Sequence, residues 1–144
     1  MSNENHTKVR IVNKTDRYIY FRCLYKYSSV GENDSGWFIL KPGGENIVFP
    51  DIKYWTGAFT SGHNLWKVQG IKLKEVNNAN DIAFNYDGKL LTMDAIHMIN
   101  EGYWLTHELY YEDAGKEVVI DVNFPNAEIR SHWATTSKLF EEYK

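Results

Sequence analysis

The eleven residues from Arg17 to Tyr27, RYIYFRCLYKY, constrain the fold more than any other stretch of the chain. They alternate without a break. Ile19, Phe21, Cys23 and Tyr25 fall on one side, and Tyr18, Tyr20, Arg22, Leu24 and Lys26 on the other. A period of two held this long specifies a β-strand whose first face enters a core. The second face is half aromatic and half cationic. On it, Tyr18, Tyr20 and Leu24 form an outward apolar strip; through it, or through an edge strand, the chain could self-associate as a structural or protein-interaction module.

The next informative stretch is Gly36 to Trp66, GWFILKPGGENIVFPDIKYWTGAFTSGHNLW. It holds three of the five tryptophans, Trp37, Trp55 and Trp66, with Phe38, Phe49, Tyr54 and Phe59. Glycines and turn residues separate the rings. Lys41-Pro42-Gly43-Gly44 predicts a tight turn, with Pro setting φ and Gly accepting a positive φ. Glu45 to Phe49 and Tyr54 to Phe59 read as two short strands, and Trp37 is placed in the core beside Ile39. From Leu65 to Val76 the apolar parity changes across Gly70, which predicts a bulge there.

Elsewhere Val9 and Ile11 mark a first strand, and Asn13-Lys14-Thr15-Asp16 a turn. Ile82–Tyr86, Asp87-Gly88 and Lys89–Met93 spell a hairpin with a two-residue turn. Asp94 to Gly102 fits either a short helix or a loop. Tyr103 to Glu112 alternates, with rings on both faces: Tyr103 and Tyr111 against Trp104 and Tyr110. Some of these rings must face outward or lie under a neighbouring segment. Glu117 to Phe124 is another strand, with Val118, Ile120, Val122 and Phe124 inward. Ser137 to Tyr143 reads as a short helix capped by Ser137.

About eight short strands, with turns near every tenth residue, predict an all-β antiparallel β-sandwich with one or two short helices. Residues 1–7 are expected to be a disordered tail, 8–126 the sandwich, and 127–144 a C-terminal tail packed on or beside it.

A net charge of −3 with no Lys/Arg run argues against nucleic acid as a partner. No apolar run approaches the roughly 18 residues that span a bilayer. The polar start, Met1 to Thr7, does not read as a secretory signal, so a cytoplasmic location or export without a classical signal is expected. One cysteine, Cys23, precludes an internal disulfide. Asn5-His6-Thr7, Asn13-Lys14-Thr15 and Asn33-Asp34-Ser35 have the form of glycosylation acceptors, as chance would give in a chain rich in these residues.

Reaction signatures are missing. Cys23 lies mid-strand between Phe21 and Tyr25, where a thiolate is disfavoured. The histidines do not follow zinc spacing, and His107, between Leu105 and Leu109, reads as a hydrogen-bonded core residue. No metal or cofactor is expected. The hydrolytic reading rests on Ser61 or His63 alone, close in sequence but without a triad pattern. The aromatic share, 15%, is the unusual quantity. Exposed Tyr and Trp beside polar turn residues suit glycan or membrane lipid headgroup recognition. The expected function is therefore a non-enzymatic binding module whose aromatic rim comprises Tyr54, Trp55, Phe59, His63, Asn64 and Trp66.

The order Val9-x-Ile11-x-Asn13-x-Thr15, Tyr27-Ser28, Gly36-Trp37, Leu40-x-Pro42-Gly43, Trp55-x-Gly57 and Trp66 resembles small β-sandwich domains of unknown activity over residues 8–76. One such family is named for transcripts raised in long-lived insulin-receptor-mutant nematodes. A bacterial family of unknown role shares the Gly-Trp and Pro-Gly steps, but typically carries a cysteine just after Pro-Gly, where this chain has Gly44-Glu45-Asn46. The layout is also similar to the membrane-binding sandwiches of aegerolysins and actinoporins, whose motifs are absent here. The resemblance implies a compact non-enzymatic sandwich.

Overall fold

Alternation decides most of the chain's path. The computed structural model describes residues 3–28, 31–57, 62–73, 86–92, 104–123, 126–139 and 141–142. The chain is all-β. In order, the strands are β1 (Asn3–Asn13), β2 (Ile19–Tyr27), β3 (Asn33–Asp34), β4 (Phe38–Leu40), β5 (Glu45–Thr56) and β6 (Asn64–Leu73). They continue as β7 (Tyr86–Thr92), β8 (Leu105–Thr106), β9 (Glu117–Val122), β10 (Asn126–Arg130), β11 (Thr135–Leu139) and β12 (Glu141–Glu142). About eight strands were expected. The described residues hold twelve, four of them only two or three residues long.

The strands form two sheets. One has the order β11-β10-β9-β1-β5, and the other β12-β7-β6-β2-β3, with β4 also on β2 and β8 on β6. The first sheet is not wholly antiparallel, because β1 runs parallel to β9 from Lys8↔Glu117 to Asn13↔Val122. A parallel pair needs a long crossover, and here every strand of the second sheet except β12 lies between the two strands in sequence. Val9, Ile11, Ile52, Tyr54, Val118, Ile120 and Ile129 from one sheet share a core with Ile19, Phe21, Cys23, Tyr25, Trp66 and Val68 from the other. The inward face read from Arg17–Tyr27 is therefore the one buried.

Several local expectations give way to pairing. β1 reaches back to Asn3, into the segment expected to be a loose tail, because Asn3 to Thr7 pairs with Ile52 to Thr56. β5 is one strand, not two. It passes through Pro50 because it lies at a sheet edge, where a residue without N–H costs no ladder bond. Its register against β1 shifts on both sides of Val9, which brings the adjacent Val48 and Phe49 both into the core.

No bulge occurs at Gly70. The β2–β6 register runs unbroken from Ile19↔Lys72 to Tyr27↔Asn64, and Gly70 stands opposite Phe21. The irregularity lies on the other edge of β6, between Ile71 and Leu73. There Asp87-Gly88 falls within β7 at the irregularity itself, between Tyr86, which pairs with Leu73, and Leu90, which pairs with Ile71. The preceding arm of the expected hairpin, and Asp94–Gly102, lie outside the described residues. Ser137 does not cap a helix. β11 pairs with β10 from Asn126↔Leu139 to Arg130↔Thr135, so sheet pairing overrides the local helical signal and continues the sheet past residue 126.

The Lys41–Gly44 turn has its expected form. Gly44 N–H donates to the Lys41 carbonyl at 2.8 Å, with Gly43 at φ 75°. Asn13 anchors the neighbouring loop from a buried position. Its amide donates to the Arg17, Leu40 and Lys41 carbonyls, and its oxygen accepts from Thr15. Asn5, also buried, donates to Thr56 Oγ1. Neither side chain is available as a glycosylation acceptor.

Candidate functional site

Strand direction gathers several chain segments at one end of the molecule. β1 begins there, and β9, parallel to it, begins there too. The antiparallel partners β5 and β10 end there, and β11 begins there. In the second sheet β2 ends and β6 begins at Tyr27↔Asn64. The segment 107–113 joins the two sheets at this end. His107 N–H donates to the Asn64 carbonyl at 3.2 Å, Glu108 Oε1 accepts from Asn64 N–H at 2.8 Å, and the Tyr110 carbonyl accepts from Tyr54 Oη at 2.9 Å.

Two loops here are tied by one carboxylate. Asp113, in the 3-10 turn Tyr111–Asp113, is buried. Its Oδ2 accepts from Tyr110 N–H at 2.7 Å, and its Oδ1 accepts from His132 N–H at 2.7 Å. The second loop is the β10–β11 turn, closed by Ser131 N–H donating to the Ala134 carbonyl at 2.9 Å. His107 supports the same turn from below. It is buried with its ring nitrogens 2.7 Å from Thr136 Oγ1 and 3.0 Å from Ser131 Oγ, and burial holds its pKa below the usual value. This is the hydrogen-bonded core histidine expected from its strand position.

Above these struts stand the most exposed large apolar side chains of the described residues. Tyr111 is 67% exposed, Trp133 65% and Tyr110 47%. His132 packs edge-on against Trp133 with centroids 4.6 Å apart, and Lys116 Nζ lies 3.3 Å from His132 Nδ1. Indole and phenol rings carried on pinned turns, with a lysine and an imidazole beside them, can stack on apolar ligand faces and hydrogen-bond at their polar tips.

The residues expected to form the rim divide into two groups. Trp55 and His63 are at this end. Trp55 is half-buried against Tyr27 at 5.2 Å between centroids, and exposed His63 has Nδ1 3.2 Å from Glu108 Oε2. Gly62 lies so close to Tyr27 that a Cβ would sit 2.3 Å from its ring, so only glycine fits. Tyr54, Asn64 and Trp66 are not rim residues. Tyr54 is 0% and Trp66 1% exposed, and Asn64 is buried. Each satisfies its polar atoms inside. Trp66 Nε1 donates to the His107 carbonyl at 2.9 Å, and Tyr25 Oη donates to Asn64 Oδ1 at 2.5 Å. Phe59 and Ser61 lie outside the described residues. Trp37, expected in the core, is 43% exposed, because it precedes β4 on a loop instead of continuing the strand.

The family model described as "Up-Regulated in long-lived daf-2" matches residues 3–102. The chain belongs to this family. The likeness read over residues 8–76 thus extends in both directions, and no curated protein matches the chain. In this family member the loops around Asp113 and Trp133 lie beyond the matched residues. Sequence reasoning missed Trp133 entirely. The available signals were the adjacent pair Tyr110-Tyr111, which cannot both enter a core, and a tryptophan in a polar Ser-His-Trp turn.

The proposed self-association strip is not open. Leu24 is buried, and Tyr18 and Tyr20 are half-buried. On this face Arg22 makes a two-point ion pair with Asp34, at 3.1 and 2.5 Å. Trp104 also covers it, with Lys26 Nζ 4.5 Å and Lys67 Nζ 5.0 Å from its ring. Cys23 is buried, and desolvation pushes its thiol far above the ordinary range. Among the described residues no group of three or more His, Cys, Asp or Glu is placed to hold a metal ion, and no helix is long and apolar enough to cross a membrane.

Proposed function

We propose that the two sheets pack as a β-sandwich serving as a non-enzymatic binding module, which recognises a glycan or a lipid headgroup through the aromatic end. The observation that carries this reading is the exposure of Tyr111 and Trp133 on two loops joined by the buried Asp113 carboxylate. Exposed rings are ordinary on flexible segments. Rings held on pinned turns are pre-organised, so little ordering entropy opposes their stacking on a ligand. Trp55 and His63 extend the same end and offer a further ring and a polar tip.

A glycan array and liposome co-sedimentation, run on the folded chain, test the proposal. Binding is expected on one of the two and is expected to fall about tenfold or more in Trp133→Ala, as at an interfacial hot spot. A folded chain that binds neither, or a Trp133→Ala variant that binds equally well, would falsify it.

A further inference from the structure

We infer that the partner of the aromatic end is the interfacial zone of a zwitterionic phospholipid bilayer, with Tyr110, Tyr111 and Trp133 seated at headgroup level. The inference rests on the proposed binding reading and narrows its ligand class.

Three observations favour a bilayer over a sugar. The first is ring exposure. A sugar-stacking platform lies with one ring face against the protein and offers only the other. Tyr111 and Trp133, each about two-thirds exposed, offer most of their surface, as side chains that enter a soft interface do. The second is hydrogen-bonding capacity. A sugar needs fixed donors and acceptors around the stacking ring. At this end both Asp113 oxygens accept backbone N–H groups, and both Glu108 oxygens are engaged, by Asn64 N–H and the His63 ring. Phenol, indole, imidazole and ammonium groups, the composition of an interfacial belt, stand at the surface here, with the exposed Glu112 carboxylate beside them.

The third is charge. The chain carries a net −3, and the cationic groups at this end, among them Lys116, Lys53 and, when protonated, the imidazoles of His132, His63 and His6, are interspersed with the carboxylates of Glu112, Glu4 and Asp51. Attraction to an anionic leaflet therefore contributes little, and ring burial in the headgroup region supplies the affinity. Two turns projecting from the same end, joined through Asp113, would place their rings in the interface together. Such attachment is peripheral and shallow. It requires no spanning segment.

The experiment uses the full chain with phosphatidylcholine vesicles, read by co-sedimentation at low and high salt, beside a glycan array. Co-sedimentation is expected with pure phosphatidylcholine and is expected to change less than about twofold with salt, since surface charge pairs are what salt screens. Tyr111→Ala and Trp133→Ala together are expected to lower vesicle partition at least about tenfold, by the apolar area withdrawn. Trp37→Ala, whose ring is on a different loop, is expected to pellet like the unaltered chain. If the array reports a glycan lost in Trp133→Ala while vesicles never pellet the chain, the bilayer inference is overturned and the binding reading stands. If neither surface binds, both fall. Undiminished pelleting of the double variant, or pelleting only with anionic lipid, also overturns the inference.

Discussion

Replacing Asp113 by Asn tests how the aromatic end is held. The buried carboxylate accepts from Tyr110 N–H and His132 N–H, one on each oxygen, both at 2.7 Å. An amide of the same shape keeps one acceptor and presents a donor to the other N–H. One backbone donor is then left unpaired, and the remaining bond loses its charge assistance. An unpaired buried donor costs about 1–3 kcal/mol, and both bonds here are only partly buried, so the loss is about 2–3 kcal/mol in total. For a chain of this length a kcal/mol is worth about 3–4 °C, which gives a Tm lowered by about 6–12 °C.

The backbone bonds of the turn, Asp113 N–H to the Tyr110 carbonyl at 3.0 Å and Lys116 N–H to the Asp113 carbonyl at 3.0 Å, do not involve the side chain. The damage should therefore be local. Amide hydrogen exchange is expected to speed by about tenfold or more at Tyr110 or His132, with the core strands changing only through the lower global stability. If both amides exchange as before and the melt does not move, the two loops are not coupled by this carboxylate.

Two further outcomes follow from burial. Trp66→Ala should destabilise the chain by about 3–5 kcal/mol, as removal of a buried ring does, while Trp37→Ala should cost under about 1 kcal/mol; paired circular dichroism melts compare them. His107 has its pKa lowered from 6.5 by burial, so the folded chain takes up this proton less readily than the unfolded one. Its contribution to stability is full above pH 6.5 and is lost as the pH falls below that value through the folded pKa. Between pH 7 and 5 the Tm of the unaltered chain should therefore shift downward relative to that of His107→Gln; equal slopes would contradict the buried neutral imidazole.

The legible part of the fold was the part written in periodicity. Arg17–Tyr27 carried its own parity, so its core face could be read directly, and Val118, Ile120 and Val122 likewise. What failed depended on partners distant in sequence. Trp66 looked like a rim residue because polar turn residues precede it, but its N–H reaches the His107 carbonyl 41 positions away. Tyr54 finds the Tyr110 carbonyl 56 positions on, and becomes a strut beneath the aromatic end instead of part of its surface. Asp87-Gly88 carries a local turn signal, and it coincides with the irregularity between Tyr86↔Leu73 and Leu90↔Ile71. Ser137 carried a capping signal, and β10 supplied a strand partner. Trp133 becomes conspicuous only when Asp113, 19 residues before His132 N–H, fixes its turn beside Tyr110 and Tyr111.

The central claim is that, among the described residues, Tyr110, Tyr111 and Trp133 are the rings presented by the aromatic end, and that Tyr54 and Trp66 are not part of it. Photochemically induced nuclear polarisation, which enhances only the Tyr, Trp and His rings that a dissolved dye can touch, measures this without any ligand. Strong enhancement is predicted for Tyr111 and Trp133 and weaker enhancement for Tyr110, with Tyr54 and Trp66 silent. Polarised Tyr54 or Trp66 signals, or a silent Trp133, would contradict the account.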